Sequence, residues 1–208
     1  MSYAPGNINV GKVTVTVFGL GEPGNTETEY CGSKTTSFDI VGKSLGDSDI
    51  GMDDIADYTY TSAAIMPEPK VVWKGHGADG ADVELVAGED FKYTYTSNVN
   101  AGTGTVRIEP VSQAGNFSGT KEKTFTILKK NLQDEGVMID GIPDQVYIGD
   151  AITPKLNIHW EADGVGQVTL SDADYTLSYG EEGNVEVGTV EVTVNGTGNY
   201  EGTITTAF

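Results

Sequence analysis

The chain has 208 residues, of which 31 are acidic and 12 are basic, giving a formal net charge of −19. Such a surface repels nucleic acid and anionic membranes, and no apolar stretch reaches the roughly 20 residues that a membrane-spanning helix needs. We therefore expect neither nucleic-acid binding nor membrane insertion. The single cysteine, Cys31, cannot form an internal disulfide, so we interpret it as a small residue at a strand edge and expect packing alone to stabilise the fold.

Polar and apolar residues alternate with a period of two in six segments. These are 12–18, 91–95, 104–108, 123–128, 189–194 and 203–208. Alternation of this kind places one side of a β-strand in a core and the other side in water. Turn signals such as Asp79-Gly80 and Asn195-Gly196 separate the segments, and no helical stripe with caps is present. The sequence therefore predicts an all-β protein.

The chain also repeats itself. Residues 53–60 recur at 140–147 with Asp, Ile, Asp and Tyr in the same places, an offset of 87. Residues 115–120 recur at 198–203, with small length changes in the Gly-rich stretches between these motifs. Self-similarity at a fixed period indicates an array of modules.

We divide the array into about two and a half copies. The first copy, 1–42, matches only the back half of the unit; the middle copy is 43–129 and the last copy is 130–208. The short connectors between copies predict neighbours that touch, with limited bending, in an extended array. For the half copy, the alternatives are a cut from a longer array or strands supplied by another chain.

Several residues recur at positions where a structural role is expected. Asp90 and Asp174 each open a strand after a turn, where a carboxylate accepts backbone N–H bonds. Tyr95 and Tyr179 follow on that strand, and we expect a buried ring whose hydroxyl is tied to the backbone. Gly102 is one of several recurring glycines expected at positive φ.

The order and spacing of these motifs resemble the immunoglobulin-like repeats of Gram-positive bacterial surface proteins. The motifs that carry the resemblance are Tyr60-x-x-x-Ala64-Ile65-x-Pro67, Gly88-x-Asp90-Phe91-x-x-x-Tyr95, Asn98-x-Asn100-x-Gly102, Gly115-Asn116-Phe117-x-Gly119-Thr120 and Phe125-x-Ile127. The resemblance implies tandem β-sandwiches that act as a stalk or spacer on the outside of a bacterial cell, in contact with other repeats. It implies no catalytic residues. Two alternatives remain: a module that binds a glycan or a host protein, and a phage virion or filament protein whose subunits exchange strands.

Two aromatic positions are candidates for ligand binding. Trp73 and Trp160 occupy one repeat position, and His76 lies in a Gly-rich loop beyond Trp73. An exposed tryptophan can stack on a sugar face, whereas a buried one fills the core. The histidines do not recur and no nucleophile–base–acid set is evident, so we expect no enzymatic activity.

An acidic cluster is a candidate for Ca²⁺. Asp47, Asp49, Asp53 and Asp54 put four carboxylates in eight residues, and hard oxygen ligands suit this ion. The spacing does not match an EF-hand loop, so a solvated connector that binds no ion is the favoured interpretation.

A third possibility is a Lys–Asn isopeptide bond. Lys70 and Lys155 come from early strands, and Asn116 and Asn199 come from late ones. The two lysines are not equivalent under the repeat offset, which disfavours a shared bond.

Overall fold

The computed structural model describes residues 2–3, 8–19, 32–112, 115–180 and 184–208, and Cys31 lies outside them. These residues form twenty β-strands, one short 3₁₀ turn at Ala78–Gly80 and no α-helix. The prediction of an all-β protein is therefore confirmed.

The chain forms two compact units that do not follow the predicted copies. The first unit comprises Met1–Asp53, Glu68–Thr94 and Arg107–Lys123. The second comprises Asp54–Pro67, Tyr95–Val106 and Thr124–Phe208. The copy boundaries at 42/43 and 129/130 stay predictions.

The strands before the first connector form one antiparallel sheet. They are β1 (Ser2–Tyr3), β2 (Gly11–Phe18) and β3 (Ser33–Ile40), in the order β1-β2-β3. In β2, Val13 and Val15 are buried while Lys12 and Thr14 are exposed. The predicted alternation is confirmed at these positions, whereas Val17, near the end of the strand, is 44% exposed.

Residues 43–129 contribute nine strands. They are β4 (Lys43–Ser44), β5 (Ile50–Met52), β6 (Tyr58–Thr59), β7 (Val71–Trp73), β8 (Val83–Glu84), β9 (Phe91–Thr96), β10 (Gly102–Pro110), β11 (Phe117–Ser118) and β12 (Lys121–Leu128). They form sheets in the orders β5-β7-β8 and β6-β12-β10-β9, and β4 pairs with β11 in parallel.

In the first unit, side chains from two of these sheets share a core. Ile50 and Val71 come from the sheet β5-β7-β8, and Phe91 and Ile108 come from β9 and β10. Each of the four is at most 1% exposed. Apolar faces of two sheets that pack together in this way are consistent with a β-sandwich.

Residues 130–208 contribute eight strands. They are β13 (Lys130–Asn131), β14 (Met138–Ile139), β15 (Ile158–Ala162), β16 (Gly166–Thr169), β17 (Tyr175–Tyr179), β18 (Glu191–Gly196), β19 (Tyr200–Glu201) and β20 (Thr203–Ala207). The sheets are β14-β15-β16, β17-β18-β20 and the parallel pair β13-β19. Ile158, Trp160, Val192, Val194 and Tyr200 lie in their common core.

Side-chain and backbone hydrogen bonds recur at matching positions of the second unit. Ile65 N–H donates to the Asn98 carbonyl at 2.8 Å, and Asn98 Nδ2 donates back to the Ile65 carbonyl at 3.1 Å. Ile152 and Asn184 make the same pair of bonds, at 2.9 and 2.8 Å. In both places, therefore, an asparagine forms two hydrogen bonds with the backbone of an isoleucine that lies outside the strands. We call this pair of bonds the asparagine clamp.

Candidate functional site

Trp73 lies at the centre of the first candidate site. It ends β7, where its indole is half-buried and its Nε1 donates to Asp49 Oδ2 at 3.0 Å. The His76 ring stacks on the indole with centroids 3.5 Å apart and planes 1° apart. Lys43 Nζ lies 5.5 Å from the ring centroid, and Phe117 meets the ring edge-on at 6.0 Å. The indole is thus surrounded by its own neighbours.

The loop after β7 places His76 there. Gly75 has φ +66°, a conformation that residues with a Cβ rarely adopt, and it turns the chain back so that the exposed His76 reaches the half-buried Trp73. The structure therefore brings the two predicted ligand-binding residues together. A sugar that stacks on this ring has to displace the imidazole or bind beside it.

Lys43 neutralises part of the acidic cluster. Its Nζ lies 2.7 Å from an oxygen of Asp47 and 2.7 Å from an oxygen of Asp49. The hydrogen bond that Lys43 donates to Asp49 lowers the pKa of Asp49. The pKa of Lys43 is raised by the hydrogen bonds that it donates to Asp47 and then to Asp49. An ammonium group thus lies between two of the carboxylates predicted to bind Ca²⁺.

The other two carboxylates of that cluster do not complete a site. Asp53 and Asp54 are exposed, and Asp53 N–H pairs with the Lys70 carbonyl at 2.9 Å. Within the described ranges, no three His, Cys, Asp or Glu side chains are grouped so that they could hold a metal ion. Asp47 and Asp49 are brought together by a lysine.

The tryptophan of the last copy has different surroundings. Trp160 is 6% exposed, and Lys130 Nζ lies 4.9 Å from its ring centroid. Lys130 also pairs with Asp134 at 2.8 Å, as Lys43 pairs with Asp47. A lysine over the indole therefore recurs in both copies, whereas the stacked histidine is found beside Trp73 alone among the described residues.

Three of the four residues considered for an isopeptide bond, Lys70, Asn116 and Asn199, have other partners. Lys70 Nζ forms an ion pair with Glu84 at 2.8 Å. Asn116 and Asn199 each bind a loop of the preceding copy, and these contacts form the second candidate site, which we call the asparagine joints.

The joint around Asn116 consists of two hydrogen bonds. Val10 N–H donates to Asn116 Oδ1 at 3.0 Å, and Asn116 Nδ2 donates to Asn9 Oδ1 at 3.1 Å. The primary amide uses its acceptor and one of its donors at once. Only a side chain with both groups can make this pair of contacts.

The joint around Asn199 has the same two bonds. Ala101 N–H donates to Asn199 Oδ1 at 2.8 Å, and Asn199 Nδ2 donates to Asn100 Oδ1 at 3.1 Å. Asn9 and Asn100 hold equivalent places before Gly11 and Gly102, whose φ values are +138° and +134°. The two joints therefore match in donor, acceptor and backbone conformation.

Apolar contacts accompany the hydrogen bonds at the Asn199 joint. The rings of Tyr60 and Tyr200 meet edge-on, with centroids 5.5 Å apart. Ile127, the last buried residue of β12, packs with Ile65 and Phe125 and is 1% exposed. The joint thus combines hydrogen bonds, which fix the position of Asn199 relative to the loop 100–101, with apolar contacts, which exclude water.

The sequence indicated Asn116 and Asn199 only as members of a disfavoured isopeptide bond, and it did not predict the contacts that they make in the joints. The spacing of Asn9 and Asn100 before their recurring glycines was visible in the sequence. This spacing could have indicated a recurring loop shape, but not which side chain the loop would contact, because that contact is distant in sequence.

Burial raises the pKa of three tyrosines in the last copy. The pKa of Tyr200 rises to about 12 because the ring is buried, and that of Tyr175 rises to about 12 through burial and its bond to Asp172. The pKa of Tyr179 is also raised by burial. Such hydroxyls stay protonated at neutral pH and serve packing.

No protein-family model, curated protein or solved structure matches this chain. In the part of the chain that the structure describes, no helix has the length and apolar character needed to cross a membrane.

Proposed function

We propose that this chain is a non-enzymatic spacer built from tandem immunoglobulin-like β-sandwiches, part of a bacterial cell-surface protein in which it supports adhesion. The observation that carries the proposal is the asparagine joint. It occurs at both places where one predicted copy follows another, with the same two hydrogen bonds. A repeated joint supports the proposal, because a spacer joins each copy to the next through the same contacts.

Charge and core composition support the same function. The fully buried residues that form the core of the described part of the chain are aliphatic or aromatic, with no charged residue among them, which supports a packing role for the interior. The net charge of −19 keeps neighbouring arrays apart on a crowded surface. The resemblance to bacterial immunoglobulin-like repeats is the basis for placing the protein outside the cell.

Small-angle X-ray scattering tests the spacer. A compact globule of this length has a radius of gyration of about 17 Å. A spacer is expected to give a clearly larger value. A flexible Gly-Ser insertion between Lys129 and Lys130 is the matched control, and it should broaden the distribution of interatomic distances. A radius near the compact value for the unmodified chain would refute the proposal.

A second candidate function rests on the stacked Trp73 and His76. The pair is present in one copy and not in the other, as expected for a glycan- or protein-binding module. Titration of a glycan panel, followed by tryptophan fluorescence, tests this function. Binding that is lost in both Trp73→Phe and His76→Ala would favour a binding module over a plain spacer.

The third candidate, an assembly subunit of a phage or filament, predicts that the purified chain forms oligomers. Sedimentation over a range of concentrations distinguishes it, since a monomer at all concentrations would exclude strand exchange between subunits.

A further inference from the structure

The last copy contains an open counterpart of the surface that receives Asn199. The surface is a cavity of about 290 Å³, lined among others by Tyr147, Ile152, Asn184, Val187 and Phe208. We call it the distal socket. Val187 is 85% exposed and Tyr147 is 55% exposed, values that are high for large apolar side chains.

Five residues of the distal socket correspond to residues at the occupied Asn199 joint. Under the repeat offsets, Tyr147, Ile152, Asn184, Val187 and Phe208 fall on Tyr60, Ile65, Asn98, Ala101 and Phe125. The asparagine clamp, Asn98 on Ile65 and Asn184 on Ile152, is the same in both places. The distal socket is therefore already built in the shape of an occupied joint.

Burial is what differs between the two places. Ile65 is 8% exposed and Phe125 is 4% exposed because Ile127 packs against them. Ile152 and Phe208, by contrast, are only half-buried and line the cavity. The cavity thus lies where the occupied joint holds the aliphatic side chain of Ile127.

The polar half of the joint is also available. In the occupied joint Ala101 supplies a backbone N–H and Asn100 supplies a side-chain oxygen. The corresponding residues are Val187, which has the same backbone N–H, and Glu186, whose exposed carboxylate can accept the amide hydrogen. An incoming asparagine therefore finds both of its partners.

We infer that the distal socket binds a further copy of the same repeat, which enters in line with β20. Its first strand places an aliphatic side chain in the cavity, its Gly-Asn-aromatic turn bonds to Val187 and Glu186, and its aromatic ring covers Tyr147. This inference rests on the proposed function, because it names the partner that a spacer module would dock.

The experiment extends the chain with a copy of its own sequence. Residues 126–208 are appended directly after Phe208, which keeps the repeat in register because Phe208 corresponds to Phe125. Hydrogen exchange of single amides is followed by NMR in the original and extended chains. Exchange at Val187 should slow about fivefold or more on extension, which is the effect of one net hydrogen bond.

A matched variant distinguishes a hydrogen bond to Val187 from protection caused only by the nearby appended copy. In the appended copy, the asparagine corresponding to Asn199 is changed to alanine, which removes the acceptor and leaves the filled cavity intact. Exchange at Val187 should then return toward its rate in the original chain. A Val187 amide that exchanges equally fast in all three chains, with the appended copy folded, would overturn the inference.

Ala101 serves as the internal reference. If its amide is protected while Val187 exchanges freely, the inference fails and the proposed function stands. If Ala101 itself exchanges freely, the Asn199 joint does not form in solution and the proposed function loses its main support. The Val187 amide of the original chain could also become more protected as the protein concentration rises. That result would show that a separate chain occupies the distal socket, and it would overturn the inference that the occupant enters in line with β20.

Discussion

Asn199 repeats, at one joint, the two hydrogen bonds that Asn116 makes at the other. The donor–acceptor distances are 2.8 and 3.1 Å for Asn199 and 3.0 and 3.1 Å for Asn116. Two loops of different sequence, Asn9-Val10 and Asn100-Ala101, present the same pair of groups. The two loops share a backbone conformation, a backbone N–H and a side-chain oxygen. The joint therefore depends on these groups and not on the identity of the residue that follows the loop asparagine.

The first prediction concerns this amide. Asn199→Ala removes both bonds of its joint, and each is expected to contribute about 1 kcal/mol net. The Ala101 amide should therefore exchange faster with solvent, as measured by NMR. Asn116→Ala is the matched control: it should accelerate exchange at Val10 and leave Ala101 unchanged, because distant substitutions act independently.

Asn199→Asp sharpens the test. The carboxylate keeps an acceptor for the Ala101 N–H but loses the donor to Asn100, and two oxygens then face each other. Exchange at Ala101 should be intermediate between the original chain and Asn199→Ala. If alanine and aspartate behave alike, the bond to Asn100 and not the bond to Ala101 dominates the joint.

The strands could be predicted from the sequence because alternation is a local property. Four of the six alternating segments lie wholly in strands, and the other two, 189–194 and 203–208, extend beyond a strand by two residues and one residue. The carboxylates of Asp90 and Asp174 accept backbone N–H bonds at 2.8 Å, as expected. Gly102 has φ +134°, as predicted for a residue without a Cβ. These features need only neighbouring residues to form.

Contacts between distant residues could not be predicted in the same way. Tyr95 donates to the Pro67 carbonyl at 3.1 Å, as expected. The equivalent Tyr179 has a buried hydroxyl with no hydrogen-bond partner among the described residues. The parallel pair of β4 and β11 and the stack of His76 on Trp73 were also missed, since their partners are set by tertiary packing.

A second prediction follows from a glycine in β10. Gly104 is buried, and a Cβ placed on it would lie 2.5 Å from the ring of Phe125. Gly104→Ala forces that ring to move and should lower the free energy of unfolding by about 1–3 kcal/mol. Gly141→Ala is the control, because a Cβ there meets no atom within 4 Å. Urea unfolding measures both, and equal midpoints would contradict the crowding at Phe125.

The acidic cluster gives the third prediction. Because Lys43 lies between Asp47 and Asp49, the melting temperature of the original chain should not change with millimolar Ca²⁺ or EDTA. Lys43→Gln removes the ammonium, leaves the two carboxylates to repel each other, and should lower the melting temperature until Ca²⁺ restores it. Lys12→Gln, the same charge change on an exposed strand residue, should gain no Ca²⁺ dependence.

The pKa of Asp49 adds a pH dependence to this prediction. Its folded pKa is lowered by Lys43, so the pairing stabilises the fold above the ordinary carboxylate pKa and is lost as the pH falls through the folded value. The difference in melting temperature between the original chain and Lys43→Gln should therefore shrink in acid. A melting temperature of the original chain that rises with Ca²⁺ at neutral pH would show that the ion displaces Lys43.

The tyrosines of the last copy give the fourth prediction. Tyr175 and Tyr200 have folded pKa values of about 12, above the ordinary value of 10.0, so the folded state holds their protons more tightly than the unfolded state. Their stabilising contribution is complete below pH 10 and is lost as the pH rises toward 12. Between these values each tyrosine lowers the free energy of unfolding by up to about 1.4 kcal/mol per pH unit.

Alkaline titration of tyrosinate absorbance and circular dichroism checks this loss. Tyr175→Phe removes one ionisation, so the slope of stability against pH above pH 10 should become less steep. Tyr147→Phe is the control because that ring is 55% exposed. If Tyr175→Phe and Tyr147→Phe change the slope equally, burial of Tyr175 does not hold its proton.

The fifth prediction concerns the stack of His76 on Trp73. In a Trp160→Phe background, Trp73 is the single source of indole fluorescence. His76→Ala uncovers one face of the half-buried ring, so the emission should shift to longer wavelength and a soluble quencher should reach it more easily. The hydrogen bond from Trp73 Nε1 to Asp49 remains in this variant and holds the indole in place.

His76→Phe is the matched variant, because a phenyl ring can cover the same face of the indole. Its emission wavelength and its accessibility to the quencher should resemble those of the original chain. If His76→Ala leaves both quantities unchanged as well, the imidazole does not rest on Trp73 in solution, and the second candidate function would then lose the stacked pair on which it rests.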